Sequence, residues 1–202
     1  MKVENQTGFP VQVMPGFGPD DRTVLTLVLK GTFEIVPGGA AKPAEQPEPI
    51  AFADVLAEGP RGPVPQVDSD LAPFKPRADV LLVGTARAPK GRPVTQLDVG
   101  LKLGRLEKIV RVFGERRWDA GGFGRDPRPS DPKPFAECDL SYAMAFGGVD
   151  DKSGGASTAN PIGLGFIAEK AKKSAVEGVP LPRLENPAEL IESWKDRPAP
   201  FA

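Results

Sequence analysis

Few side chains in this chain could do chemistry, and most of them are carboxylates. Asp68 and Asp70 stand two apart, and Asp150 and Asp151 are adjacent. Such pairs can hold a hard cation or divide acid and base roles. Asp79, at the head of an apolar run, is the remaining candidate of this kind. The competing reading is the ordinary one for aspartate, solvated or capping a turn. A calcium ion takes about six to eight oxygens, more than either pair supplies. Histidine is absent, and Cys138 is the single cysteine. This excludes Ser-His-Asp and Cys-His catalysis, histidine-based zinc sites, thiolate clusters and an intrachain disulfide. No cofactor and no metal is expected from what remains.

Two further segments have suggestive spacing. Gly163-Leu164-Gly165-Phe166-Ile167-Ala168 matches G-x-G-x-x-A, which binds a dinucleotide when it lies between a strand and a helix. Here Asn160-Pro161 precedes it, so a glycine-bearing loop is the better reading. It closes a longer stretch that begins Tyr142-Ala143-Met144-Ala145-Phe146-Gly147-Gly148-Val149-Asp150. Glycines that permit positive φ or close approach, and an Asn-Pro turn signal, point to one particular backbone path. Gly114-Glu115-Arg116-Arg117-Trp118 joins a tight turn to two cations and an indole, types enriched in interface hot spots. Alternatively Trp118 packs beneath the loop and the arginines are solvated. Lys170, Lys172 and Lys173 read as a solvated face.

Strands must position these segments. Residues 24–36 alternate and predict the clearest strand, with Leu25, Leu27, Leu29, Phe33 and Ile35 on one face and Thr26, Lys30, Thr32 and Glu34 on the other. Residues 40–78 read as a long connection, with a short strand or turn near 50–56. Residues 79–87 are apolar on both faces and predict a central, covered strand. Residues 96–103 alternate cleanly, and Gly104-Arg105 joins them to 106–113 as a hairpin. Residues 120–136 are loop. Ala and Lys at helical spacing over 167–177 predict a short helix, and Asn186-Pro187 predicts the start of another over 188–194. The expectation is a mainly β protein: an antiparallel β-sandwich or open barrel with long Pro/Gly-rich loops and one or two short C-terminal helices. One domain is expected over 1–202, with core strands at 20–118 and a loop-rich part at 119–202. A chain of 202 residues can bury roughly 70% of its unfolded surface without a staple. Its net charge of −1 offers no field to grip nucleic acid or an anionic membrane. No apolar run approaches the ~20 residues of a bilayer span, and the first residues lack a signal-peptide core. A cytoplasmic location is the expectation.

The ordered motifs resemble a bacterial family, domain of unknown function 2169, over nearly the whole chain. They run from Asn5-Gln6-Thr7-Gly8-Phe9 through Lys30-Gly31-Thr32-Phe33-Glu34-Ile35, Glu45-Gln46 and Lys75-Pro76-Arg77-Ala78-Asp79 to Ala88-Pro89-Lys90-Gly91-Arg92-Pro93. The Gly114–Trp118 turn, Pro134-Phe135, the 142–166 stretch and Leu181-Pro182-Arg183-Leu184-Glu185-Asn186-Pro187 complete them. The resemblance implies a role in type VI secretion, beside spike, spike-tip and pentapeptide-repeat proteins. Relatives look like cytoplasmic adaptors or chaperones that load effectors onto the spike, and the resemblance carries no catalytic residues. Arg116, Arg117, Trp118, Tyr142, Phe146, Asp150, Asn160 and Phe166 are the expected partner contacts. Two departures stand out. Ala143 and Met144 replace a charged pair usual after the tyrosine, and relatives continue beyond residues 198–202, so a C-terminal segment is expected to be missing. The alternative is a carboxylate-based enzyme or glycan-binding module, in which two of Asp68, Asp70, Asp79 and Asp150 face one cleft roughly 5–9.5 Å apart.

Overall fold

The computed structural model describes residues 3–59, 62–73, 75, 77–122 and 124–200. The chain divides into two compact units, Met1–Ala57 with Pro65–Val80, and Glu58–Val64 with Leu81–Ala202. The protein is mainly β, built from small and mostly antiparallel sheets that, among the described residues, do not close into a barrel. Among the described residues no helix is long and apolar enough to cross a membrane.

The first unit is organised by a hairpin of Val11–Phe17 and Thr23–Leu29, in register from Val11 opposite Leu29 to Phe17 opposite Thr23. Residues directly opposite share a face. One face therefore gathers Val11, Val13, Pro15, Phe17, Leu25, Leu27 and Leu29. The alternation over 24–36 predicts a single strand, but the structure makes two. Lys30 turns away, its ammonium 2.7 Å from Asp70, and Phe33–Glu34 pairs separately with Lys42–Pro43. The apolar face of this run is not buried. Leu25, Leu27 and Leu29 are 46%, 57% and 49% exposed, and Ile35 is 89% exposed. Thr26, on the opposite face, is half-buried and reaches the Pro73 carbonyl at 3.5 Å. Among the described residues of this unit none is fully buried.

The second unit is built on the expected hairpin. Gln96–Leu103 pairs with Leu106–Phe113 through the two-residue turn at Gly104-Arg105, where Gly104 has φ +59°. A positive φ at the first turn residue matches the twist of the strands and favours glycine. Leu184–Glu185 pairs on the other side of Leu106–Phe113. Gly84–Arg87 pairs with Glu137–Leu140. The covered strand expected over 79–87 is thus shortened to Gly84–Arg87, and Val80, Leu81, Leu82 and Val83 lie exposed. The reason lies in the partner: beyond Leu140, opposite Gly84, the chain turns into the 3-10 segment Tyr142–Met144 and offers no ladder to residues 80–83.

Two apolar clusters fill this unit. One gathers Trp118, Phe146, Ile167, Ala171, Val176, Leu181 and Ile191, and the other Ala86, Val112, Phe135, Cys138, Ala145 and Leu184. The two predicted C-terminal helices are not formed. Residues 167–177 hold only the 3-10 turn Lys173–Ala175, because Lys172 is extended (ψ 148°). Ile167, Ala171 and Val176 are drawn into the core as loop residues instead. Asn186 does cap, accepting the Ala188 N–H at 3.0 Å, but the turn ends there, and Asp196 collects the Glu192 and Ser193 amides.

Candidate functional site

Segment 114–119 is extended, and alternate residues are buried: Gly114, Arg116 and Trp118 point in, while Glu115, Arg117 and Asp119 are exposed. It runs as a middle strand. On one side Arg116 O, Trp118 N and Trp118 O bond to Leu181, Val179 and Gly178 at 2.8–3.0 Å. On the other side Lys133 N donates to Glu115 O at 3.0 Å, and Ser130 N to Arg117 O at 2.8 Å. Gly114 is required here, since a Cβ would overlap the Lys133 carbonyl.

Arg116 forms a buried ion pair with Glu185, the two side chains 7% and 2% exposed. The same guanidinium donates to Pro182 O at 3.0 Å and stacks 3.7 Å from the centre of the Phe113 ring. The second oxygen of Glu185 accepts the Ile191 amide at 2.8 Å. Arg116 Nε is buried without a partner, so the site is held by one nitrogen edge and the ring face. This pair ties the turn to residues 182–191. Trp118, 2% exposed, is a core residue rather than a surface anchor.

The 142–166 stretch is a closed backbone knot. Phe146–Gly147 pairs in parallel with Leu164–Gly165. Asn160 is 3% exposed and clips the knot from inside, its amide donating to Tyr142 O at 2.8 Å and Phe146 O at 3.1 Å. Its own carbonyl accepts from Gly148 N at 2.8 Å. Gly147 and Gly148, at φ +151° and +93°, lie where a Cβ would overlap the Asn160 and Gly163 carbonyls. No helix opens at Gly165, the next helical turn being the 3-10 segment Lys173–Ala175, so the G-x-G-x-x-A match lacks the helix N-terminus that a pyrophosphate needs.

Asp150 is also turned inward. It accepts the Lys152 and Ser153 amides at 3.0 Å and the Ala168 amide at 2.9 Å. Burial opposes its ionisation, but the three N–H donors outweigh burial and hold the carboxyl below its ordinary value of 3.8. In the first unit Asp70 is lowered too, first by Lys30 and then by the Ala51 amide at 2.7 Å. The sign follows from proton binding. Below 3.8 the unfolded chain takes up these protons before the folded one does. Stability is therefore complete above the ordinary carboxylate range and lost as pH falls through and below it. Urea unfolding between about pH 5 and pH 2 is expected to show this fall, with a shallower slope for Asp150→Asn. An equal slope for the variant would remove Asp150 from the account.

The expected contact residues therefore separate into two groups. Arg116, Trp118, Phe146, Asp150 and Asn160 are buried and act inside the unit, while Arg117 and Tyr142 are exposed and Phe166 is half-buried. Among the carboxylates, Asp68 is exposed, Asp79 pairs with Lys75 at 2.8 Å, and Asp70 and Asp150 hold backbone amides. Among the described residues no group of three or more Cys, Asp and Glu gathers as a metal site. Sequence reasoning missed Glu185 and the outward face of the first hairpin. Alternation over 114–119 was the signal that Arg116 shares a face with Trp118. The face of Leu25, Leu27 and Leu29 is exposed together with Phe17, 76% exposed.

The family model described as "Uncharacterized protein conserved in bacteria (DUF2169)" matches residues 20–202. No curated protein and no solved structure matches the chain. The match takes in every motif from Lys30-Gly31-Thr32-Phe33 to Asn186-Pro187, and the chain belongs to this bacterial family.

Proposed function

We propose that this protein is a non-enzymatic accessory protein of type VI secretion, a cytoplasmic adaptor or chaperone that binds an effector or spike-tip protein for loading onto the spike. One observation carries the reading: the first unit presents an apolar sheet face on which Leu25, Leu27 and Leu29 stay 46%, 57% and 49% exposed. A two-stranded hairpin alone is marginal in water, and exposed apolar patches mark protein-binding surfaces. A partner covering Leu25, Leu27 and Leu29 supplies the second layer of a β-sandwich. Covering the exposed half of each leucine contributes roughly half of the ~1.5–3 kcal/mol of full burial. The tie to type VI secretion comes from the motif resemblance to this family.

The test is affinity capture of the full chain from the bacterium that encodes it, with mass spectrometry for spike, spike-tip and effector proteins. Leu27→Asp is expected to weaken capture about tenfold or more, as for an interface anchor. Its melting curve should stay close to wild type, because Leu27 is already exposed. Absence of every secretion component from the wild-type capture would sink the role. Undiminished capture by the variant would move the contact elsewhere.

A further inference from the structure

We propose that the protein pairs with a second copy of itself along the free edge of Gln96–Leu103, antiparallel about a two-fold axis at Gly100. Among the described residues this strand ends the three-stranded sheet. Which backbone groups face outward follows from its neighbours. Gly114 N donates to Thr95 O at 2.8 Å, so odd-numbered residues bond inward to Leu106–Phe113. Val94 exchanges both of its bonds with Phe135, at 3.0 and 2.9 Å, on the opposite side. Even-numbered residues therefore face out, and farther along the strand these are Asp98, Gly100 and Lys102, all exposed. The edge lacks two of the usual guards. It has no proline, and its register runs unbroken from Gln96 to Leu103 without a bulge. Its one lysine is already engaged by Glu107 at 3.2 Å.

The charges on this edge are self-complementary. With Gly100 opposite Gly100, Asp98 of each copy meets Lys102 of the other. Asp98 is bound to Arg111 at 2.8 and 2.9 Å, and Lys102 to Glu107. Each row across the joined strands then reads Glu107, Lys102, Asp98 and Arg111, the last two from the second copy, with signs alternating throughout. The out-facing groups match as well, since even residues meet even residues. Sliding the register by two residues sets Asp98 or Lys102 against Gly100 and loses both Asp98–Lys102 pairs, and sliding it by four sets Asp98 against Asp98, or Lys102 against Lys102, where like charges directly opposite are unfavourable. On the reverse face Val99 meets Leu101 of the second copy, and Leu97 meets Leu103, which is 58% exposed in the single chain. The contact is isologous, so it closes at two copies.

The test is sedimentation equilibrium of the full chain, with a mass expected to double from 21.4 kDa as concentration rises. Asp98→Lys makes both ends of the edge positive, and Lys102→Asp makes both negative. Each variant alone should associate at least about tenfold more weakly, and an equimolar mixture of the two should recover the dimer. Gly100→Pro removes only an out-facing N–H, which an edge strand tolerates, and should abolish pairing. In the wild type, amide exchange at Asp98, Gly100 and Lys102 should slow with concentration. A monomer up to about 1 mM overturns the proposal. So does a dimer untouched by these substitutions, and one lost instead in Leu27→Asp places self-association on the first hairpin. Capture of secretion components tests a different surface, so either idea can fail alone.

Discussion

Glu185→Ala is expected to lower the free energy of unfolding by about 3–5 kcal/mol, a large part of the ~5–15 kcal/mol typical of a domain. The loss arises from what is left behind. Arg116 would remain in the core with its cation facing only the Pro182 carbonyl and the Phe113 ring, and the Ile191 amide would lose its acceptor. The pair itself is not a large net stabiliser, because desolvating both ions costs nearly what their attraction returns. The double replacement Arg116→Met with Glu185→Leu should therefore recover most of the loss, by keeping volume while removing both charges. Urea unfolding of the wild type, both single variants and the double closes this cycle. A loss below about 1 kcal/mol for Glu185→Ala would mean that water reaches Arg116 and the pair is not buried in solution.

Gly148→Ala should cost about 2–4 kcal/mol, combining left-handed strain with overpacking. Its φ of +93° is unfavourable for alanine, and the added carbon would overlap the Gly163 carbonyl inside the knot. Two glycines separate these causes. Gly154 has φ +76° with nothing near its Cβ, so alanine there meets strain alone and should cost less. Gly100 has no positive φ and only ordinary contacts at 3.8–3.9 Å, so alanine should leave stability unchanged or slightly higher. Thermal melts of the three variants order these expectations. Equal losses at positions 148 and 154 would show that backbone strain, not close approach, makes glycine necessary in the knot.

The legible parts of this fold are those whose cause is local. Alternation and one glycine specify the 96–113 hairpin, because period and turn chemistry lie within eighteen residues of sequence. Alternation also groups Leu25, Leu27 and Leu29 correctly on one face. It cannot tell whether a second layer covers that face, since covering depends on residues distant in sequence. The same gap explains residues 80–83, whose apolar run reads as a buried strand but finds no ladder beyond Leu140. Helical spacing at 167–177 gave way to capture of Ile167 and Val176 by the core around Trp118. In the 114–118 turn the residue types suggest an interface, and Arg117 does face solvent. Arg116 turns inward because its partner is 69 residues away, a pairing that no window of local sequence contains.

The pairing of Leu184–Glu185 with Leu106–Phe113 also sets an order of events during synthesis. The Phe113 amide donates to the carbonyl of Arg183, 70 positions later, and the Phe113 carbonyl accepts from the Arg183 guanidinium. At roughly 5–20 residues per second, the inner edge of the hairpin waits about 4–14 s after it is made before its partner exists. Through that interval Arg116 has no Glu185, and Val112 has no Leu184 opposite it. The nascent chain thus passes through a stage with one hairpin flank unpaired and a cation awaiting burial. Contacts of such separation fold slowly, and the risk of mispairing falls in that window on the ribosome rather than on the finished protein.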